Sequence, residues 1–347
     1  MRIDSYECWS ERVPLTRPYT IAYESVDAVE LFFVRITSGG VQGVGSASPI
    51  PEVTGESFEA CRAALDAAAD GVRAGQGTAA VAATCPAAAA AIDMALWDVR
   101  ARQAGVPLVQ LWGQVHHQLP TSITIGIKGS CAEVLDEARE YLGRGFRHLK
   151  IKIGLALEED IERLVKLRAL CGPGIELCID ANQGFEARDL ARLEQVLTEL
   201  SVSFLEQPLP PSSDAELHAW PASSLARLAL DESVLNEVDA RRLATAQRCG
   251  IFNIKLMKCG GPSTARKIAA VADAHRLALM WGCSDESCLS IAAALHTAFA
   301  CPATRYLDLD GHLDLARDPA RGGFTLKEGM LRLTDAPGLG VELERRA

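Results

Sequence analysis

Six short polar motifs close apolar runs in the second half of this chain, and their residue types suggest chemistry before any fold is considered. They are Lys150-Ile151-Lys152, Asp180-Ala181-Asn182, Glu206-Gln207-Pro208, Asp231-Glu232-Ser233, the run around Lys255, and Asp308-Leu309-Asp310. From Lys152 the spacing is 28 residues to Asp180, then 26 to Glu206, 25 to Asp231 and 24 to Lys255. Near-equal intervals put these side chains at one height around one rim. Three carboxylates converging there repel one another unless a cation lies between them. A hard, oxygen-ligated divalent ion answers that need, and Mg²⁺, one per subunit, fits best because it takes few carboxylates and keeps positions for water or substrate oxygens. Any one of these acids could instead cap the helix that follows it. Three in register, with lysines on both sides, favour the metal.

Lys150 and Lys152 are two apart, so on a strand they share a face. Lys255 falls on the sixth strand of the series, four strands from the second. In a ring of eight strands it is diametrically opposite, so a substrate carbon held above the metal has one lysine on each side. A lysine acts as a base near neutral pH only if its pKa falls from about 10.4, and burial, a second lysine and a divalent cation each push it that way. Removing a proton next to a carboxylate creates an enediolate, which a metal on its oxygens stabilises. Two opposed bases, Lys152 and Lys255, imply a 1,1-proton transfer: racemisation or epimerisation.

These positions require elements that bring six strand ends together. From Pro120, apolar runs alternate with helical stretches at a steady interval: Thr121–Ile127, His148–Ile153, Glu176–Asp180, Ser203–Glu206, Arg227–Asp231, Phe252–Leu256, Ala278–Trp281 and Arg305–Leu309. Eight such units predict an α/β protein with a closed parallel barrel whose chemistry sits at the C-terminal strand ends. A doubly wound open sheet is the runner-up, but no G-x-G-x-x-G follows an early strand. Upstream, Val26–Thr37 and Val41–Ser48, joined by Ser38-Gly39-Gly40, read as a β-hairpin. Ser57–Ala74 and Pro86–Ala104 read as helices, the second stopped by Gly105 and Pro107. The predicted division is an α+β cap over residues 1–116, completed by about 312–347, and a barrel over 117–311.

Composition sets the remaining bounds. The 347 residues, 48% hydrophobic and 23% charged, describe a globular chain of about two domains. A net charge of −10 argues against nucleic acid as a partner. The longest uncharged run, Ala74–Ile92, is mostly alanine with a central Pro86, which does not suit a membrane span. The 11 cysteines are scattered without a C-x-x-C pair, and Arg2, Asp4 and Glu7 stand where an export signal needs an apolar run, so a cytoplasmic compartment is expected.

The motifs resemble those of the enolase superfamily, specifically its muconate-lactonising subgroup. K-I-K, D-A-N, E-Q-P and D-E-S are joined by Asn253–Gly261 (NIKLMKCGG) and by the junction segments Ala91–Asp98 and Gly105–Gly113. The resemblance implies a modified (β/α)7β barrel with a capping domain made by both chain ends, and a homo-oligomer. Tyr306–Gly311 (YLDLDG) is similar to the D-x-D of the dipeptide epimerases, in which Asp308 and Asp310 hold the free α-ammonium of the substrate. The resemblance thus implies a Mg²⁺-dependent dipeptide epimerase: Asp180, Glu206 and Asp231 on the metal, Lys152 and Lys255 as bases, and Lys150 binding the substrate carboxylate. The family's Ala-Glu epimerases carry an arginine in the loop equivalent to Leu15–Ser25, where this chain offers Glu24. With Asp285 after the seventh strand, Glu24 suggests a basic or neutral C-terminal residue in the dipeptide. An N-acylamino-acid racemase or cycloisomerase on the same scaffold, and a non-catalytic metal-stabilised binding protein, are the alternatives.

Overall fold

The protein is described by a computed structural model over residues 1–20, 25–49 and 51–344. Strands β1 (Ser5–Thr20), β2 (Ser25–Ser38) and β3 (Val41–Ala47) form an antiparallel sheet in that order. Gly39 and Gly40, at φ of 58° and 77°, make the tight β2–β3 turn, which needs positive φ at both positions. Ser57 caps the helix Phe58–Arg73 through the Ala60 amide. The helix Pro86–Ala104 starts on a proline and stops at Gly105, whose φ is 70°. Its alanines are buried on several sides because it lies between β3 and the turn that follows the sixth barrel strand. That close approach explains two glycines in β3: a methyl group on Gly43 or Gly45 would run into the Ala95 or Ala91 carbonyl.

After the short β4 (Leu119–Pro120), the barrel strands are β5 (Ile123–Ile125), β6 (His148–Lys152), β7 (Glu176–Asp180), β8 (Leu205–Glu206), β9 (Leu228–Leu230), β10 (Ile251–Ile254), β11 (Ala278–Gly282) and β12 (Thr304–Asp308). They form one parallel sheet in sequence order, and a bridge between Thr121 and Leu307 brings its two edges together. Helices Cys131–Gly143, Leu157–Cys171, Leu190–Glu199, Ala222–Leu225, Glu237–Thr245, Pro262–His275 and Cys288–Phe299 follow the first seven strands in turn. Only the 3₁₀ turn Gly311–Leu313 follows the eighth among the described residues, so the barrel is (β/α)7β, as expected. The tail adds β13 (Ala320–Gly322), β14 (Phe324–Lys327), β15 (Met330–Leu333) and β16 (Val341–Leu343). β15 pairs with both β14 and β4, and β13 pairs with β16.

Alternation along the strands sorts the barrel interior into two layers. Cys178, Phe204, Ala229, Ile251 and Met280 form a small apolar cluster of their own. Two residues further along the same strands come Asp180, Glu206, Asp231, Asn253 and Gly282. Period-two geometry therefore places the acids directly above an apolar floor. Two buried aspartates of the long cap helix fasten the cap and tail to the barrel. Asp93 accepts from the Ser263 amide and hydroxyl, both at 2.7 Å, and Asp98 accepts from the Val44 and Leu339 amides at 2.9 and 2.7 Å.

Candidate active site

Lys152, Asp180 and Glu206 are in register across β6, β7 and β8, and Asp231 directly follows β9, two residues beyond the Ala229 that pairs with Glu206. Asp180, Glu206 and Asp231 are each 0% exposed. Lys150 reaches all of one side: its Nζ lies 2.9 Å from Asp180, 2.8 Å from Glu206 and 2.8 Å from Asp308. Lys152 donates to Asp180 Oδ2 at 2.8 Å and to Asn182 Oδ1 at 2.6 Å. Across the barrel, Lys255 Nζ lies 2.8 Å from Asp231 Oδ2. The two lysines thus belong to different members of the acid row, on opposite sides.

The acids are held from behind. Asn253 donates to Glu206 Oε1 at 2.7 Å, and the Gln207 side-chain oxygen accepts from the Asp231 amide at 2.9 Å. Among the described residues, no set of three or more His, Cys, Asp or Glu is drawn together as a metal cage, because ammonium groups stand between the carboxylates. The donor set nevertheless suits a hard cation. Glu206 Oε2 and Asp231 Oδ2 are buried and take no directed hydrogen bond, although an ammonium touches each at 2.8 Å. Both oxygens keep lone pairs for an ion.

Without a cation, the acid row dominates the electrostatics of Lys150 and Lys255. Burial lowers Lys150 and Lys255, as anticipated, but Asp180 and Asp308 outweigh it at Lys150 and Asp231 outweighs it at Lys255, so both ammonium groups sit above the usual lysine value. Burial likewise raises Asp180 and Asp231, and their lysine partners more than reverse it. Glu206 is pushed up to about 8 by burial and by the neighbouring Asp180. The protein alone therefore favours charged lysines, and freeing one as a base requires positive charge on the acids from elsewhere.

Asp308 and Asp310 both face this region but differ in how far they are engaged. Asp308 is saturated: Lys150, the Ser122 hydroxyl at 2.6 Å and the Thr124 hydroxyl at 3.4 Å all donate to it. Asp310 accepts from the Thr124 amide at 2.6 Å through Oδ2, and its Oδ1 meets only the Cys283 thiol, at 3.9 Å. Burial and Asp308 push Asp310 up to about 7. Asp285, half-buried after β11, is raised to about 6 by burial and Asp310. Asp314, which the motifs did not flag, is raised to about 7 by burial and Asp285. Glu24 lies outside the described residues. Arg17 is committed to the helix Cys131–Gly143, 2.9 Å from Glu140.

Sequence reasoning passed over Asn182, Asn253 and Lys258. Asn253 was open to discovery, since it lies on β10 two residues before Lys255 and strand alternation puts both on one face, whereas Asn182 lies past the end of β7 with φ of 39°, where alternation no longer applies. Lys258, in the turn after the sixth strand, is 3% exposed and donates to the Asp231 carboxylate.

A (β/α)7β barrel with acids and lysines on its strand ends, closed over by an α+β cap, is the architecture of the enolase superfamily. The chain belongs to that superfamily: residues 133–347 match the family described as enolase C-terminal domain-like, and residues 5–113 match the mandelate racemase / muconate lactonizing enzyme N-terminal domain. It is 48% identical to the L-Lys-D/L-Arg epimerase of Methylococcus capsulatus, over 98% of this chain and 99% of that protein. The crystal structure of a dipeptide epimerase from Methylococcus capsulatus complexed with Mg and the dipeptide L-Arg-D-Lys superposes with a TM-score of 0.93, at 48% identity, covering 98% of this chain and 99% of that one. The N-succinyl-L-Arg/Lys racemase of Bacillus cereus is more distant, 28% identical over 99% of this chain and 96% of its own length.

Proposed function

We propose that the protein is a Mg²⁺-dependent dipeptide epimerase that inverts the α-carbon of the C-terminal residue, with a preference for a basic residue there. The observation that carries this reading is the opposition of Lys152 and Lys255 across one row of buried acids, each lysine anchored to a different acid. Asp180, Glu206 and Asp231 would hold one Mg²⁺ per subunit, which when bound supplies positive charge to the substrate carboxylate. Lys152 and Lys255 take the α-proton from one face and return it on the other. Lys150 neutralises the substrate carboxylate. Asp310, backed by Asp308, receives the α-ammonium through the oxygen it leaves free. Asp285 and Glu24 are proposed to meet the C-terminal side chain, in keeping with the cationic dipeptide in the Methylococcus capsulatus structure.

The relationship to an N-succinyl racemase makes N-acylamino acids the second reading. An acyl nitrogen carries no positive charge, and a buried aspartate with an uncommitted oxygen is then left unpaired, which disfavours it. ¹H NMR in D₂O with Mg²⁺ decides. We expect deuterium at the C-terminal α-carbon of dipeptides ending in Lys or Arg. Exchange from N-succinyl-lysine but from no dipeptide would shift the assignment, and no exchange from either would end it. The assembly proposed is a cytoplasmic homo-oligomer, consistent with 11 free thiols. Light scattering tests the oligomer. Among the described residues no helix is long and apolar enough to cross a membrane.

A further inference from the structure

Lys258 has no part in the reading above, yet it is among the most enclosed charges of the barrel, at 3% exposed. Lys255 caps a single helical turn, Leu256–Cys259, which Gly260 ends at a φ of 85°. That turn carries Lys258 back beneath the strand end, so Lys255 and Lys258 approach Asp231 from two sides. Lys258 Nζ donates to Asp231 Oδ1, to the Asp231 carbonyl at 2.5 Å, to the Asn253 carbonyl at 3.3 Å and to the Val234 carbonyl at 3.4 Å. Its acceptors thus come from β10 and from the loop after β9. Asp231 Oδ2 is left with the 2.8 Å contact to Lys255 and no directed hydrogen bond.

We propose that Lys258 is a positioning residue that holds Asp231 Oδ1, so that Oδ2 stays turned toward Lys255 and toward the Mg²⁺ which the proposed function, on which this rests, places there. A carboxylate with one oxygen tied down and one open is preorganised for a cation, whereas a free one rotates and collapses onto whichever ammonium is nearer. The arrangement is one-sided. Lys152 is fixed by Asp180 and Asn182, neither of which touches Lys258. Removing the Lys258 ammonium therefore weakens the cation site and disturbs the Lys255 face of the substrate more than the Lys152 face.

The test uses Lys258→Met in the full chain, beside wild type, Lys255→Ala and Leu243→Ala, the last a buried position in the helix Glu237–Thr245 that supplies a destabilised control. Isothermal titration reads Mg²⁺ affinity, and NMR in D₂O reads the initial α-deuteration rate from each epimer of one dipeptide. We expect Lys258→Met to bind Mg²⁺ about tenfold more weakly. We also expect it to lose exchange chiefly from the epimer that Lys255→Ala silences, while Leu243→Ala changes neither. If the methionine variant does not fold, Lys258→Arg, which keeps the charge but displaces it, is read for the same bias between epimers. Wild-type Mg²⁺ affinity with an unchanged epimer ratio, or equal loss from both epimers, overturns the proposal while leaving the epimerase reading intact. Absence of Mg²⁺ binding and exchange in wild type overturns both.

Discussion

A carboxylate receives a substrate ammonium only with an oxygen its own protein has not claimed. Asp308 is already neutralised by Lys150 and by two hydroxyl donors, whereas Asp310 keeps Oδ1 open. The two halves of the D-x-D pair therefore have different tasks, although on sequence alone they look alike. Asp310→Asn should raise KM for a dipeptide by about 10- to 100-fold with a smaller effect on kcat, because it removes a charge-assisted bond far from the reacting carbon. Asp308→Asn should lower kcat as well, since it releases Lys150. Steady-state kinetics of the two variants on one substrate separate these outcomes. Asp310 also gives a pH dependence. Its carboxyl is pushed up to about 7 by burial and Asp308, so below that pH the free enzyme holds it increasingly neutral and loses the partner for the ammonium. kcat/KM should fall as pH drops through about 7, and Asp310→Asn should flatten that limb of the profile.

At the scale of elements, the site was legible because a parallel barrel repeats. Strands of fixed period lift alternate residues to one rim, so the spacing from Lys152 to Lys255 already carried the acid row and the opposed lysines. What the spacing could not carry was any contact made by closure. The Ser122 hydroxyl reaches Asp308 across 186 residues of chain, and nothing local to either position announces it. The requirement for Gly43 and Gly45 in β3 likewise comes from a distant segment, the long cap helix that lies on them. Gly45→Ala drives a methyl group into the Ala91 carbonyl and should destabilise the protein by about 2 kcal/mol or more, read as a lower urea midpoint with kcat of the surviving fold unchanged. The helix Cys288–Phe299 offers a separate test. His296 is 0% exposed, its Nδ1 accepts from the Val109 amide, and burial lowers its pKa from 6.5 to about 4. The unfolded chain therefore binds a proton between those values that the folded protein refuses, so stability present above pH 6.5 is lost as pH falls toward 4. His296→Gln, which keeps an acceptor for Val109, should shrink the stability difference between about pH 7 and pH 4.5 by about 2 kcal/mol in urea unfolding.

For the whole molecule, the acid excess is distributed rather than uniform. Part of it is spent internally, where Asp93 and Asp98 tie the cap helix to the barrel and to the C-terminal tail. Another part lines the region between cap and barrel: Asp285, Asp310 and Asp314 are mutually repelling, and the nearby cations Arg17 and Lys128 are already paired with Glu140 and Glu137. The cap lies directly over this region, since the Ser48 hydroxyl donates to the Asp285 carbonyl at 2.8 Å. An excess of carboxylates around the site, in a chain of net charge −10, draws cationic solutes toward it and does so less as salt screens the field. The consequence distinguishes steering from local contact. For a dipeptide with two basic side chains, kcat/KM should fall severalfold between about 20 and about 300 mM NaCl, a range over which the screening length drops from about 20 Å to about 6 Å. For a neutral dipeptide it should stay nearly constant, because the α-ammonium and carboxylate cancel at a distance and are recognised only on contact. Equal salt dependence for both substrates would mean that the acid excess serves the fold and its solubility alone, and that the preference for a basic residue must come from contacts inside the pocket.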